Sequence, residues 1–240
     1  MNLAIDIGNT TVKVAVFDGQ ELVYYEKMEG HGLDGLEKLS DDYFIERCIV
    51  SSTVNVTDEM KSRISAARIG SIIYFDSATR VPVKNLYRTP NTLGTDRLAA
   101  AVGAYCAGKG RDTLVVDMGT AITYELVTAQ GEYLGGNISP GIEMRLKALH
   151  EFTAKLPKVD RKGEKPFWGR DTETAIRCGV LDGVRHEIEG FIKELIVKYP
   201  YLVVFLTGGN IFDFDSSIKK RIFVDRYIVL KGLNRILNDN

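Results

Sequence analysis

Cysteine, proline, histidine and tryptophan are scarce in this chain, and neither sign of charge dominates it. Among 240 residues there are three Cys, six Pro, three His and one Trp. Cys48, Cys106 and Cys178 are widely spaced, odd in number and set among apolar neighbours, which excludes a disulfide framework and reads as three buried, reduced thiols. His31, His150 and His186 have no H-x-x-x-H spacing and no nearby Cys, so no metal cage is encoded. Acids and bases nearly cancel at a net charge of −1, which argues against nucleic acid or an anionic membrane as partner. No run approaches roughly 18 consecutive apolar residues, and MNLAIDIGNT lacks a basic n-region and an unbroken apolar h-region. Neither a membrane span nor a secretory signal is expected, and the expected location is cytoplasmic. A small-molecule client remains.

What is present is an alternating pattern. Residues 2–28 read as three short strands, NLAID, TVKVAVFD and ELVYYEKM, with DGQ turning the last two into a hairpin. After them come a short helix over 33–39, a strand FIERCIVSS, an amphipathic helix over 57–68 and a strand SIIYF. Helices alternating with strands behind a meander predict an α/β layer. The device then repeats: LAIDIGNTTVKVAVFDGQELV at 3–23 and LVVDMGTAITYELVTAQGEYL at 114–134 both carry an apolar strand ending in D-x-G, a small hydroxyl residue, a second strand, a turn with glycine and a third strand. An offset of about 111 residues is too long for a solenoid and fits a duplicated domain, divided as 1–112 and 113–240 at the loop AGKGRD. Further on, Ile176, Val180, Val184, Ile188, Ile192 and Leu195 make one apolar stripe on a long helix. Gly179, Gly183 and Gly190 interrupt it at about 1 kcal/mol each, which points to something packed closely against it, a second subunit included. The loop 157–170 is charged and is expected to be mobile, with Phe167 and Trp168 as a docking pair.

The chemistry lies at the strand ends. Two D-x-G turns place two carboxylates and two sets of backbone N–H groups on a cleft between the halves. A carboxylate beside phosphates needs a cation between them, so Asp6 and Asp117 imply Mg²⁺ or a monovalent ion, while Gly8, Thr10, Gly119 and Thr120 let main chain and hydroxyls approach phosphate oxygens. Lys13 adds a point charge, and TGGN at 207–210 leaves room for a planar base against the backbone. Each turn alone is equally readable as an Asx or hydroxyl turn closing a hairpin; two copies plus TGG favour the nucleotide. GAYCAGKG nearly spells a P-loop, but it ends in Gly and closes a helix, so it is rejected. In YRTPNTLGTDRLAAAVGAY, Thr95 suits an N-cap and Asp96 a first-turn acid. Arg97 opposes the helix dipole there, a cost recovered where it grips an anionic acceptor, with Asp96 placed to take a proton from the acceptor's hydroxyl.

DIGNTTVK (6–13), GTDR (94–97), VVDMGTA (115–121), GGNISPG (135–141) and TGGN (207–210), in this order, closely resemble type III pantothenate kinases of the acetate and sugar kinase, Hsp70 and actin superfamily. The resemblance implies a duplicated ribonuclease-H-like (actin-like ATPase) α/β fold with an interdomain nucleotide cleft, a homodimer, and ATP-dependent phosphorylation of pantothenate to 4'-phosphopantothenate, the first step of coenzyme A synthesis. Asp6, Ile7, Gly8, Asn9, Thr10, Thr11, Val12 and Lys13 then resemble the first phosphate motif, with Asp6 reaching Mg²⁺ through ATP, and Thr120, Gly208 and Gly209 further ATP contacts. Asp117 resembles the ligand of K⁺ or NH₄⁺. Tyr87, Gly94, Thr95, Asp96, Arg97 and Thr172 resemble the pantothenate pocket, with Asp96 as general base, Arg97 on the carboxylate and Thr174 a rival to Thr172. A kinase of another small carboxylate or sugar, and a non-catalytic nucleotide-binding regulator, stay open as alternatives.

Overall fold

Strand periodicity decides where the chemistry-bearing residues go. In a computed structural model, which describes residues 1–209, 212 and 214–240, the chain begins with β1 (Asn2–Ile7), β2 (Thr11–Asp18) and β3 (Glu21–Glu29), the expected meander. Then come α1 (Leu36–Tyr43), β4 (Arg47–Ser52), α2 (Asp58–Ala66) and β5 (Ser71–Tyr74). The five strands form one sheet in the order β3-β2-β1-β4-β5. Antiparallel pairing joins the meander, and parallel pairing joins β1, β4 and β5. Two boundaries differ from the sequence reading. Gly35, at φ 84, caps α1 later than expected, and Phe44 ends it with a left-handed φ of 48, so β4 starts at Arg47 rather than at Phe44.

The second sheet contains a short β6 (Lys84–Asn85), β7 (Thr113–Met118), β8 (Ala121–Val127), β9 (Glu132–Pro140), β10 (Val203–Gly208) and β11 (Ile222–Val224). Its order is β11-β10-β7-β8-β9-β6. Read from the other edge, β9-β8-β7-β10-β11 repeats the first sheet's topology strand for strand, with β6 added beside β9. The duplication inferred from the two D-x-G strands is therefore carried by the sheets. Between them run α3 (Thr95–Gly108) and, near the C-terminus, α7 (Ile228–Asn238). The outer face of the second sheet is covered by α4 (Ile142–Glu151) and α5 (Thr172–Lys198), with a single-turn α6 (Ser216–Lys219) beside α5.

Side chains alternate across a strand, so each first strand feeds two cores. Leu3, Ile5 and Ile7 of β1 join Leu36, Leu39, Met60 and Ile64 in an outer core. Ala4 joins a central core built on α3 and α7. In the second sheet Leu114, Val116 and Met118 of β7 face the α4–α5 core, and Val115 faces the central one. Asp6 follows Ala4 by two residues, and Asp117 follows Val115 by two. Both carboxylates thus leave the inner faces of their sheets, where the central helices end.

The central helices meet on glycine. A Cβ at Gly103 of α3 would lie 2.1 Å from the Ile228 carbonyl oxygen, and one at Gly232 of α7 would lie 1.9 Å from that of Ala99. At both, the backbones of α3 and α7 leave no room for a methyl group. Gly179, Gly183 and Gly190 of α5 are different: a Cβ at any of them meets nothing within 4 Å. One cysteine also departs from expectation, since Cys48 and Cys178 are buried but Cys106, on α3, is exposed. No helix among the described residues is long and apolar enough to cross a membrane.

Candidate active site

The first D-x-G turn is closed by the Gly8 N–H donating to the Thr11 carbonyl at 2.9 Å, and the second by the Gly119 N–H donating to Ala121 at 3.1 Å. Register places Asp6 opposite Lys13 and Ser51, and Asp117 opposite Thr123 and Thr207. Lys13 Nζ donates to Asp6 Oδ2 at 3.3 Å. Asp6 Oδ1 is buried and without a hydrogen-bond partner, an arrangement that costs stability unless a cation or donor arrives. Ile7 and Val12 are fully buried in the outer core, so within this motif they offer a nucleotide only their main chain. Asn9 and Thr10 are exposed at the tip. Two braces were not anticipated: the Gly30 N–H donates to the Thr10 carbonyl, and His31 Nε2 donates to the Gly8 carbonyl at 2.9 Å.

The second turn is backed by glycines. A Cβ at Gly141, which caps α4, would lie 2.3 Å from the Thr120 carbonyl oxygen, and one at Gly208, at φ +88, would lie 2.5 Å from that of Met118. Gly208 is therefore committed to the turn, whereas Gly209 has open space where its side chain would be. Asn210 of TGGN lies outside the described residues.

Electrostatics bring the three acids together. Burial, then the neighbouring charges of Asp6 and Asp96, push the Asp117 carboxyl up to about 6, against the pull of Lys13. Burial and the charge of Asp6 likewise raise Asp96, while the N–H groups of Arg97 and of Asp96 itself hold it down. Burial works against the Lys13 ammonium, but Asp6 and Asp117 outweigh it and keep it protonated. Three carboxyls from two sheets and one helix thus share a cleft with a single lysine, a local excess of negative charge that calls for a cation.

At the start of α3, three successive residues reach in three directions. The N-cap is Gly94, not Thr95, and no side chain caps the helix. Thr95 Oγ1 instead pairs with Ser51 Oγ at 2.9 Å, tying α3 to β4. Asp96 folds over Gly94, where a Cβ would lie 2.5 Å from Oδ1. Arg97, expected to stand free for an acceptor, is 6% exposed and already paired: Nε donates to Glu125 Oε1 at 2.6 Å and Nη2 to Oε2 at 2.9 Å. Tyr133 donates to the same Oε2 at 2.5 Å, and the Arg97 guanidinium lies 5.5 Å from the centre of the Tyr87 ring. Burial opposes the Arg97 cation, and Glu125 more than offsets it. Sequence reasoning missed Glu125 and Tyr133. The available signal was a lone acid inside the apolar strand AITYELV, which burial obliges to find a cation.

Thr172 stands at the start of α5. It lines a groove of about 810 Å³ between α4 and α5 with Arg145, Phe152 and Val180. Its rival Thr174 is spent on capping α5, accepting from the Asp171 N–H at 3.2 Å while its own N–H donates to Asp171 Oδ1 at 2.9 Å. The 157–170 loop is strapped to α5, with Arg177 donating to the carbonyls of Asp160 and Glu164 and Cys178 to that of Pro166. Phe167 and Trp168 stay 96% and 76% exposed among the described residues.

A family profile described as type III pantothenate kinase matches residues 2–194. The chain belongs to that family. A type III pantothenate kinase of Bacteroides fragilis strain YCH46 is 50% identical over 240 residues, covering 100% of this chain and 98% of its own. Among solved structures, a Baf family protein of Campylobacter jejuni superposes with a TM-score of 0.59 at 21% identity, covering 99% of this chain and 98% of its own. A proposed N-acetylmannosamine kinase of Listeria monocytogenes does so at 0.50 and 13%, with 99% and 98% covered. At such identities these two establish the two-sheet fold alone. The type III pantothenate kinase motifs named from the sequence fall on the turns, on the start of α3 and on the glycines behind them.

Proposed function

We propose that this protein transfers the γ-phosphoryl group of ATP to the hydroxyl of pantothenate, giving 4'-phosphopantothenate in the first step of coenzyme A biosynthesis. The observation that carries the reading is Asp96 at the start of α3, folded over Gly94, with its carboxyl raised by burial and the charge of Asp6 and itself raising Asp117. Asp96 accepts the hydroxyl proton as the oxygen attacks phosphorus, and a carboxyl poised above its ordinary value is the better base. The N–H groups of Asn9 and Thr10 and the hydroxyls of Thr10, Thr11 and Thr120, with the Lys13 ammonium, hold the phosphates, and the open face of Gly209 receives the base. Phosphoryl transfer needs alignment and charge neutralisation more than covalent help from the protein.

The orphaned Asp6 Oδ1 suits Mg²⁺ carried with the nucleotide, and the half-buried Asp117 suits K⁺ or NH₄⁺. When bound, these cations offset charge that three acids and a triphosphate concentrate in one cleft. Tyr87, Gly94, Thr95 and Arg97 form the acceptor pocket. Thr172 belongs to a pocket completed by a second copy of the chain, a homodimer that the open glycine face of α5 supports. The halves divide at 112/113, and the enzyme works in the cytoplasm on small molecules alone. ADP release with and without pantothenate tests the reading: strong stimulation is expected, and basal turnover indifferent to small acceptors would favour a nucleotide-binding regulator instead.

A further inference from the structure

A guanidinium that is to recognise a carboxylate is usually pictured as an unopposed charge. Arg97 is not one. Its Nε and Nη2 edge is occupied by Glu125, which is 0% exposed and fixed in turn by the fully buried Tyr133 hydroxyl. The arrangement is built into the backbone of β9. A Cβ at Gly136, directly across from Glu125 in the ladder, would lie 2.9 Å from Glu125 Oε2 and 1.4 Å from the Tyr124 carbonyl oxygen. Gly135, at φ +97, lets the Tyr87 ring approach where a Cβ would lie 3.0 Å from it. Tyr87 stacks on Tyr133 at 6.3 Å between centroids and faces Arg97. Two adjacent glycines, two tyrosines and an acid therefore surround one arginine, and the bidentate pair uses two of its five N–H groups.

We propose that Glu125 is a positioning residue that sets acceptor selectivity: it holds Arg97 by one edge and cancels its charge, so that an acceptor carboxylate is recognised by the remaining N–H groups and not by a net positive field. The inference rests on the kinase reading above. The physical advantage lies in the neighbourhood, because Arg97 follows Asp96 on the same cleft as the phosphate turns. An uncompensated cation there would compete for nucleotide phosphates; a neutralised one leaves them to Lys13 and the turns. A second consequence concerns neutral acceptors. With Glu125 in place, losing the acceptor's carboxylate does not strand a buried charge.

The test compares kcat/KM for pantothenate and for its primary amide. In the unaltered enzyme the ratio is expected below about 10³, whereas a site left with a stranded polar group rejects such an analogue by about 10⁴–10⁵. Glu125→Gln frees the Arg97 charge and is expected to raise the ratio about tenfold or more, while Glu125→Asp, which keeps the charge, holds it within about threefold of the parent. A parental ratio above that limit overturns the proposal, as does a folded Glu125→Gln enzyme whose ratio does not move. If Glu125→Gln fails to fold, the parental ratio alone decides. Absence of turnover with either acceptor in the unaltered enzyme overturns the kinase reading instead, so the two failures are distinguishable.

Discussion

Asp96 and Arg97 are neighbours in the chain, and the duties proposed for them are separable. Asp96→Asn keeps shape and the contact over Gly94 but cannot take a proton, so kcat is expected to fall by about 10²–10⁴ with pantothenate affinity largely kept; steady-state kinetics beside equilibrium binding checks this. Arg97→Ala is expected first to cost stability. Removing one partner of a buried ion pair leaves the other uncompensated, at about 3–5 kcal/mol, and the double variant Arg97→Ala, Glu125→Ala should cost less than the two single losses summed. Urea unfolding of the three variants measures both. Asp117 makes a third residue-scale prediction. Its carboxyl is raised to about 6, so the proton and a monovalent cation compete for it: activation by K⁺ is expected to be pH-independent well above 6 and to need about tenfold more K⁺ for each unit below it. The same shift makes its contribution to folding stability fully present below the ordinary carboxyl value and lost as pH rises through about 6. Activation constants that stay flat from pH 7 to 5 would remove Asp117 from the cation site.

At the scale of elements, the helix pair α3–α7 joins the two sheets. α3 starts at the cleft, tied to β4 through Thr95 and to β8 through Arg97; α7, from the far end of the chain, lies against β1 and β4 of the first sheet. Their backbones approach at Gly103 and Gly232, where a methyl group has no room. Gly232→Ala is therefore expected to destabilise the protein by about 1–3 kcal/mol through overpacking, although alanine is the better helix former. Thermal unfolding is the measurement, and a variant as stable as the parent would show that the crossing yields freely. The glycine that gives GAYCAGKG its P-loop look, Gly103, is thus a packing residue.

For the whole molecule, the glycines of α5 have open space where a Cβ would be, and Gly179 lines the α4–α5 groove together with Thr172. Gly183→Glu adds a charge to α5 at a position where a Cβ meets nothing within 4 Å among the described residues. On the proposed homodimer it is expected to yield a monomer by light scattering at concentrations where the parent associates, and to lower activity with it, since Thr172 would lose the pocket proposed for it. A dimer that persists would place the interface elsewhere.

Several of these features were legible in the order of residues. The repeat of D-x-G strands predicts two sheets of one topology, because strand alternation and turn chemistry are local and survive duplication. The stripe from Ile176 to Leu195 predicts a long helix there, and α5 runs from Thr172 to Lys198 around it, since a 3.6-residue period is likewise local. GTDR marks the start of α3. What pairs with what across the sheets was not legible. Arg97 and Glu125 are 28 residues apart on different elements, and nothing short-range in either says that burial will force them together. Thr95 looks like an N-cap until Ser51 claims its hydroxyl, and α7 finds its partner more than 120 residues back, at Gly103. Local periodicity and turn residues determined the elements and the two D-x-G turns. Only packing of one half against the other decided which charges are neutralised, because a buried charge chooses its partner by proximity in space and by the energy of being left alone.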